Sequence, residues 1–207
     1  MTGGSTNWDD VAAREERRSG EAEGAVLRAN AAYGAGLAHL MRGDTHEARR
    51  WFDRAVDAYR ESWAEAPPGS WGRPIAGMKS RLLAGEPADE EARWALDAGA
   101  AQSDSPIGGY AAALAYLVLG DDDAARVHAD AIRTRDDFPR PVGDTLAMIA
   151  AGTDAVGYVE AIEAVLESFE TRDEYLEDVS VADTVLVLQA LAKARGLDAE
   201  LKSPLLP

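Results

Sequence analysis

Few residues in this 207-residue chain have types and spacing suited to chemistry. Cysteine is absent, which excludes disulfides, thiolate metal sites and cysteine nucleophiles. The three histidines, His39, His46 and His128, lack the second ligand at helical spacing that a metal-binding helix supplies. His39 and His46 flank one turn, and a place on the helix surface or in a hairpin contact accounts for them better than a metal pair. Ser70, Ser103, Ser105 and Ser180 stand among turn residues, where capping explains them without a strained nucleophile beside a base. Asp121, Asp122 and Asp123 lack the alternating oxygen ligands and distal acid of a calcium loop and read as cap and dipole partners of a helix. Gly34 and Gly36 fall inside a helical pattern rather than in a phosphate-cradling loop. The chain is therefore expected to hold no catalytic residue, no metal and no cofactor.

Charge is the more informative feature. Thirty-seven acids face 21 bases, a net charge of −16, and such a chain is repelled by nucleic acid and by anionic lipid surfaces. Of the bases only Lys79, Lys193 and Lys202 are lysines. An acidic surface short of lysine suits a salt-rich cytoplasm; an acidic protein from a GC-rich bacterium is the alternative. Six glutamates, Glu160, Glu163, Glu167, Glu170, Glu174 and Glu177, recur at spacings of three and four. One continuous helix would carry all six on one face, opposite Val159, Ile162, Leu166 and Phe169. Their mutual repulsion is offset either by solvent cations or by a basic partner, for which complementary charge would speed association.

The elements that position these residues read as helices throughout. Glycines punctuate the pattern at Gly43, Gly85, Gly120 and Gly152, at intervals of 42, 35 and 32 residues, the range of helix-hairpin repeats. Three residues before them stand Leu40, Leu82, Leu117 and Ile149, and an acid follows directly at Asp44, Glu86 and Asp121. Glycine suits the left-handed end of one helix and an acid the positive start of the next. Small residues, Ala48, Ala125 and Gly157, sit five positions beyond three of the glycines, where two helices must approach closely. Caps and breakers predict helices near 8–18, 25–42, 45–65, 75–84, 89–101, 108–119, 122–133, 142–151, 154–171 and 181–195. Asp44 and Glu47 are spaced as a capping box. No alternation marks a strand. The expected fold is all-α, an array of antiparallel helix hairpins with about nine to ten helices. Residues 1–24 are expected to form an N-terminal helix and flexible lead, and residues 25–207 a single helical-repeat domain with a C-terminal capping tail. The first residues lack the basic-then-apolar pattern of a secretory leader, and no run of eighteen apolar residues occurs, so a soluble cytoplasmic protein is expected.

The stretch Ala32–Tyr59, AYGAGLAHLMRGDTHEARRWFDRAVDAY, resembles a tetratricopeptide repeat. Gly36 matches that family's mid-helix glycine, Gly43-Asp44 its turn, and Ala48, Phe52 and Ala55 its second-helix packing residues. Ala112–Ile132 is similar through Tyr116, Gly120-Asp121 and Ala125, with Ala113 and Ala129 departing from the pattern. The resemblance implies a non-catalytic scaffold whose first helices line a groove for a peptide or protein partner. By that resemblance Asn30, Tyr33, Leu37, Tyr110 and Leu114 lie on the groove, although the same residues also suit an inter-hairpin core. Trp71, in the proline- and glycine-rich loop, is a further contact candidate, and an apolar first-helix face also suits a homodimer. The ending Leu191–Pro207, LAKARGLDAELKSPLLP, resembles helical immunity proteins of polymorphic-toxin systems, which implies the alternative of an antitoxin-like protein neutralising a basic toxin.

Overall fold

The computed structural model describes residues 6–207. Among the described residues it contains ten α-helices and no strand: α1 Trp8–Glu21, α2 Ala25–Met41, α3 Thr45–Trp63, α4 Gly72–Leu83, α5 Asp89–Asp97, α6 Pro106–Leu119, α7 Asp122–Ile132, α8 Arg140–Ala151, α9 Ala155–Glu170 and α10 Asp183–Lys193. Single 3-10 turns span Ala100–Gln102 and Leu176–Asp178. The flexible lead expected at the start falls partly on residues 1–5, outside the described residues. Trp8 onward belongs to α1, which packs on α2 and is continuous with the rest of the fold.

The turns follow from local chemistry. Gly43, Gly85, Gly120 and Gly152 all take φ between +66° and +76°, a region where a side chain would clash with its own backbone. Asp44, Asp121 and Asp154 then cap the following helices, accepting from the backbone N–H of Glu47 (3.1 Å), Ala124 (3.1 Å) and Gly157 (2.9 Å). The capping box at Asp44 is only half made, because Glu47 turns to Arg50 at 2.7 Å while the Asp44 N–H bonds the His39 carbonyl.

Each helix from α1 to α9 packs on the next, and α6 also packs on α4 and on α8. Small residues make those approaches close. A Cβ on Gly36 would lie 2.6 Å from the Phe52 ring, and one on Gly109 would lie 2.6 Å from Ile132 Cγ2. Two buried glutamates repeat one arrangement. Glu15 lies against Gly34 and is clasped by Arg14 and Arg18; Glu91 lies against Gly77 and pairs with Arg60 at 3.1 Å. Both carboxylates are almost fully buried, which is tolerable only because guanidinium groups compensate the lost hydration.

The chain then returns across its own array. α10 packs on α4, α8 and α9, and the 3-10 turn before it packs on α2. Val185, Val187, Leu188 and Leu191 of α10 are buried. Removing four such side chains from water contributes up to about 6–12 kcal/mol, so α10 is part of the core rather than a loose appendage. The tail continues the cover: Leu197 and Ala199 are buried, the Ala199 carbonyl accepts from Gln189 at 3.1 Å, and the Leu205 carbonyl accepts from the Ala182 N–H at 3.0 Å.

Candidate functional site

The return of α10 decides the fate of the expected groove. Tyr33, Leu37, Tyr110 and Leu114 are buried in the core, so these four do not line an open groove. Val179 and Val181 pack into the cluster around Tyr33 and Phe52, and Val185 and Leu188 into the cluster around Leu114. Asn30 is half-buried and accepts a hydrogen bond from the Tyr59 hydroxyl at 2.9 Å. Trp71 is buried as well, with its indole nitrogen 3.0 Å from where a Cβ of Gly108 would stand. It anchors the proline-rich loop under α6 and is no surface contact.

At the seam between α2, α4 and α10 sits a polar centre that no motif marked. The Tyr33 hydroxyl donates to Asp183 Oδ2 at 2.6 Å, and Lys79 Nζ meets the same oxygen at 2.6 Å. Oδ1 accepts from the Thr184 N–H at 2.7 Å, and Lys79 also donates to Thr184 Oγ1 at 3.0 Å. Burial raises the Asp183 pKa, but the Lys79 charge and the bonds from Lys79, Tyr33 and Thr184 outweigh it and hold the carboxyl below its ordinary range. Burial, and then the Asp183 charge, push the Tyr33 and Tyr110 hydroxyls well above theirs. The carboxylate is saturated with donors and charge-balanced, an arrangement that fastens the start of α10 to α2 and α4. One signal for it was legible: Lys79 is one of three lysines in an arginine-rich chain.

The six-acid stripe is interrupted. Glu160, Glu163, Glu167 and Glu170 are exposed on α9, and none makes an ion pair among the described residues. The helix ends at Glu170, so Glu174 lies exposed in the connecting segment and Glu177 turns inward. Glu177 and Asp178 both take φ +55°. The Glu177 carboxylate pairs with Arg18, and its carbonyl accepts from Arg14 Nη2 at 3.0 Å. Two consecutive left-handed residues without glycine are costly, and the clasp from α1 is what holds them.

The histidines have separate partners: His39 is buried against Glu16 at 2.7 Å, His46 is exposed, and His128 stacks on Tyr116 with ring centroids 5.5 Å apart. Partial burial lowers the His128 pKa. Among the described residues no group of three histidine or carboxylate side chains could hold a metal ion, and no helix is long and apolar enough to cross a membrane.

A surface depression of about 530 Å³ lies between α3 and α5. Trp63 and Trp94 line it, edge to face at 5.4 Å, and both are partly buried. The Arg60 guanidinium lies 5.1 Å from the Trp94 ring, and Arg93, Glu90 and Asp97 complete the rim. Among the described residues the fold is all-helical, ten packed helices with an aromatic depression between α3 and α5. No family model, curated protein or solved structure matches the chain.

Proposed function

We propose that the protein is a non-catalytic helical-repeat scaffold of the tetratricopeptide-like kind, with antiparallel hairpins, acting in the cytoplasm and engaging a protein partner through the Trp63–Trp94 depression. One observation carries the reading: two partly exposed tryptophans, edge to face, with arginine and carboxylate side chains around them. Tryptophan and arginine dominate the energetics of protein interfaces when surrounded by groups that exclude water. With Tyr33, Leu37, Tyr110 and Leu114 buried, this reading puts the partner on the outer surface rather than in a first-helix groove. The test is capture of partners by the tagged full-length chain and by the Trp63→Ala/Trp94→Ala double variant, compared by quantitative mass spectrometry. A protein recovered by the wild type and lost from the variant supports the reading. An identical set from both overturns it.

A second reading is favoured by the four unpaired carboxylates on α9: an immunity-like protein that neutralises a basic toxin. Reversing Glu160, Glu163, Glu167 and Glu170 to lysine would then abolish capture of a basic protein, with the tryptophan variant unaffected.

A further inference from the structure

The core is not closed everywhere. Between α6, α8, α9 and the start of α10 lies a cavity of about 320 Å³. Its walls include Tyr110 (8% exposed), Phe138 (7%), Val142 (8%) and Phe169 (5%), with the exposed Ile107 and Pro139 at the rim. Tyr110 and Phe138 face each other with ring centroids 5.7 Å apart. Thr184, next to the Lys79–Asp183 pair, also lines the space.

The mouth carries one cation. Arg172 lies just past the end of α9, with its guanidinium carbon 3.5 Å from the Phe169 ring centroid. Its Nε donates to the Ser168 carbonyl at 3.2 Å, which fixes the plane of the group. Its two Nη groups have no acceptor and no carboxylate partner among the described residues, in a chain where acids outnumber bases 37 to 21. A fixed guanidinium edge with free parallel donors matches a carboxylate in bidentate geometry. Mainly apolar walls of this size with a few placed polar groups, here Arg172, Thr184 and Ser168, are what small-ligand pockets offer. About ten water molecules would fill the volume, at roughly 30 Å³ each.

We infer that this cavity binds a small amphipathic monocarboxylate, with its apolar body between Tyr110, Phe138, Val142 and Phe169 and its carboxylate on Arg172. The site is separate from the Trp63–Trp94 depression and stands whether or not that surface binds a protein. The full-length chain is titrated calorimetrically with octanoate, 3-phenylpropanoate and the neutral octanamide. At least one acid binds saturably, and octanamide binds at least tenfold more weakly than octanoate. Arg172→Gln, an exposed position whose loss leaves the core intact, weakens the acids at least tenfold, the effect of one charge-assisted hydrogen-bonded pair. Val142→Phe, which fills the cavity, removes binding, with circular dichroism confirming that the variant is folded. Trp63→Ala/Trp94→Ala leaves the titration unchanged, so a failure of the docking surface registers separately. Failure of both acids to bind at millimolar concentration overturns the inference. So does equal affinity for octanamide, or an Arg172→Gln variant that binds as the wild type does.

Discussion

Replacing Lys79 by methionine removes the cation from the seam while keeping the length of its apolar stem. The pair it breaks is enclosed: the Lys79 and Asp183 side chains are 12% and 15% exposed and 2.6 Å apart. Without Lys79 the carboxylate retains the Tyr33 hydroxyl and the Thr184 N–H but no compensating charge. Breaking one side of a buried pair costs about 3–5 kcal/mol. For a chain of this length each kcal/mol lowers Tm by roughly 2–4 °C, so Lys79→Met is expected to melt about 6–20 °C below the wild type. Lys79→Met/Asp183→Asn should recover more than half of that loss, because the stranded charge is gone. The assay is thermal and urea unfolding of the four members of the cycle, with the coupling taken at neutral pH. Additive losses would falsify the claim that the two groups compensate one another across the seam.

Acid tests the same pair. The Asp183 carboxyl is held below its ordinary value of 3.8, so the stability it contributes is complete above that pH and lost as the pH falls through the folded value. The unfolding free energies of wild type and Asp183→Asn should therefore converge as acid is added; a constant gap contradicts the assignment. At the α2–α3 crossing, Gly36→Ala places a Cβ against the buried Phe52 ring. Overpacking of about 1–3 kcal/mol is reduced by about 1 kcal/mol of helix propensity. The variant should lose stability in the wild type and gain it in a Phe52→Leu background, as read by urea midpoints. Asp178→Gly relieves one left-handed residue and should raise stability by up to about 1 kcal/mol; a clear loss would show that the Asp178 side chain makes a contact of its own.

The turns between helices were legible because their requirements are local. A left-handed residue favours glycine and a helix start favours aspartate, and Gly43-Asp44 and Gly120-Asp121 carry both within two positions. The path of α10 was not legible, since the pairing of Tyr33 with Asp183 joins residues 150 positions apart. Helical spacing alone places groove and core residues alike on apolar stripes, so only the cover by α10 and Val179–Val181 tells Tyr33 and Tyr110 to be interior. The acidic stripe misled for a different reason. Caps and breakers already end the helix near residue 171, yet the acids keep helical spacing past it to Glu174 and Glu177, and the turn at Glu177-Asp178 is made without glycine, held instead by Arg14 and Arg18 from the far end of the chain. The tryptophan depression was hidden because Pro87 lengthens the turn after Gly85 and puts α5 out of register with the other second helices, so no repeat position pointed to Trp94.

The most direct test of the account places a photo-crosslinking side chain at Asp97, on the rim of the tryptophan depression, and in a parallel protein at Glu167, on the acidic face of α9. Both proteins are irradiated in the cells that make the chain. Docking through the depression gives one discrete protein adduct from position 97 and none from position 167. Adducts from position 167 alone, or from neither, would contradict it.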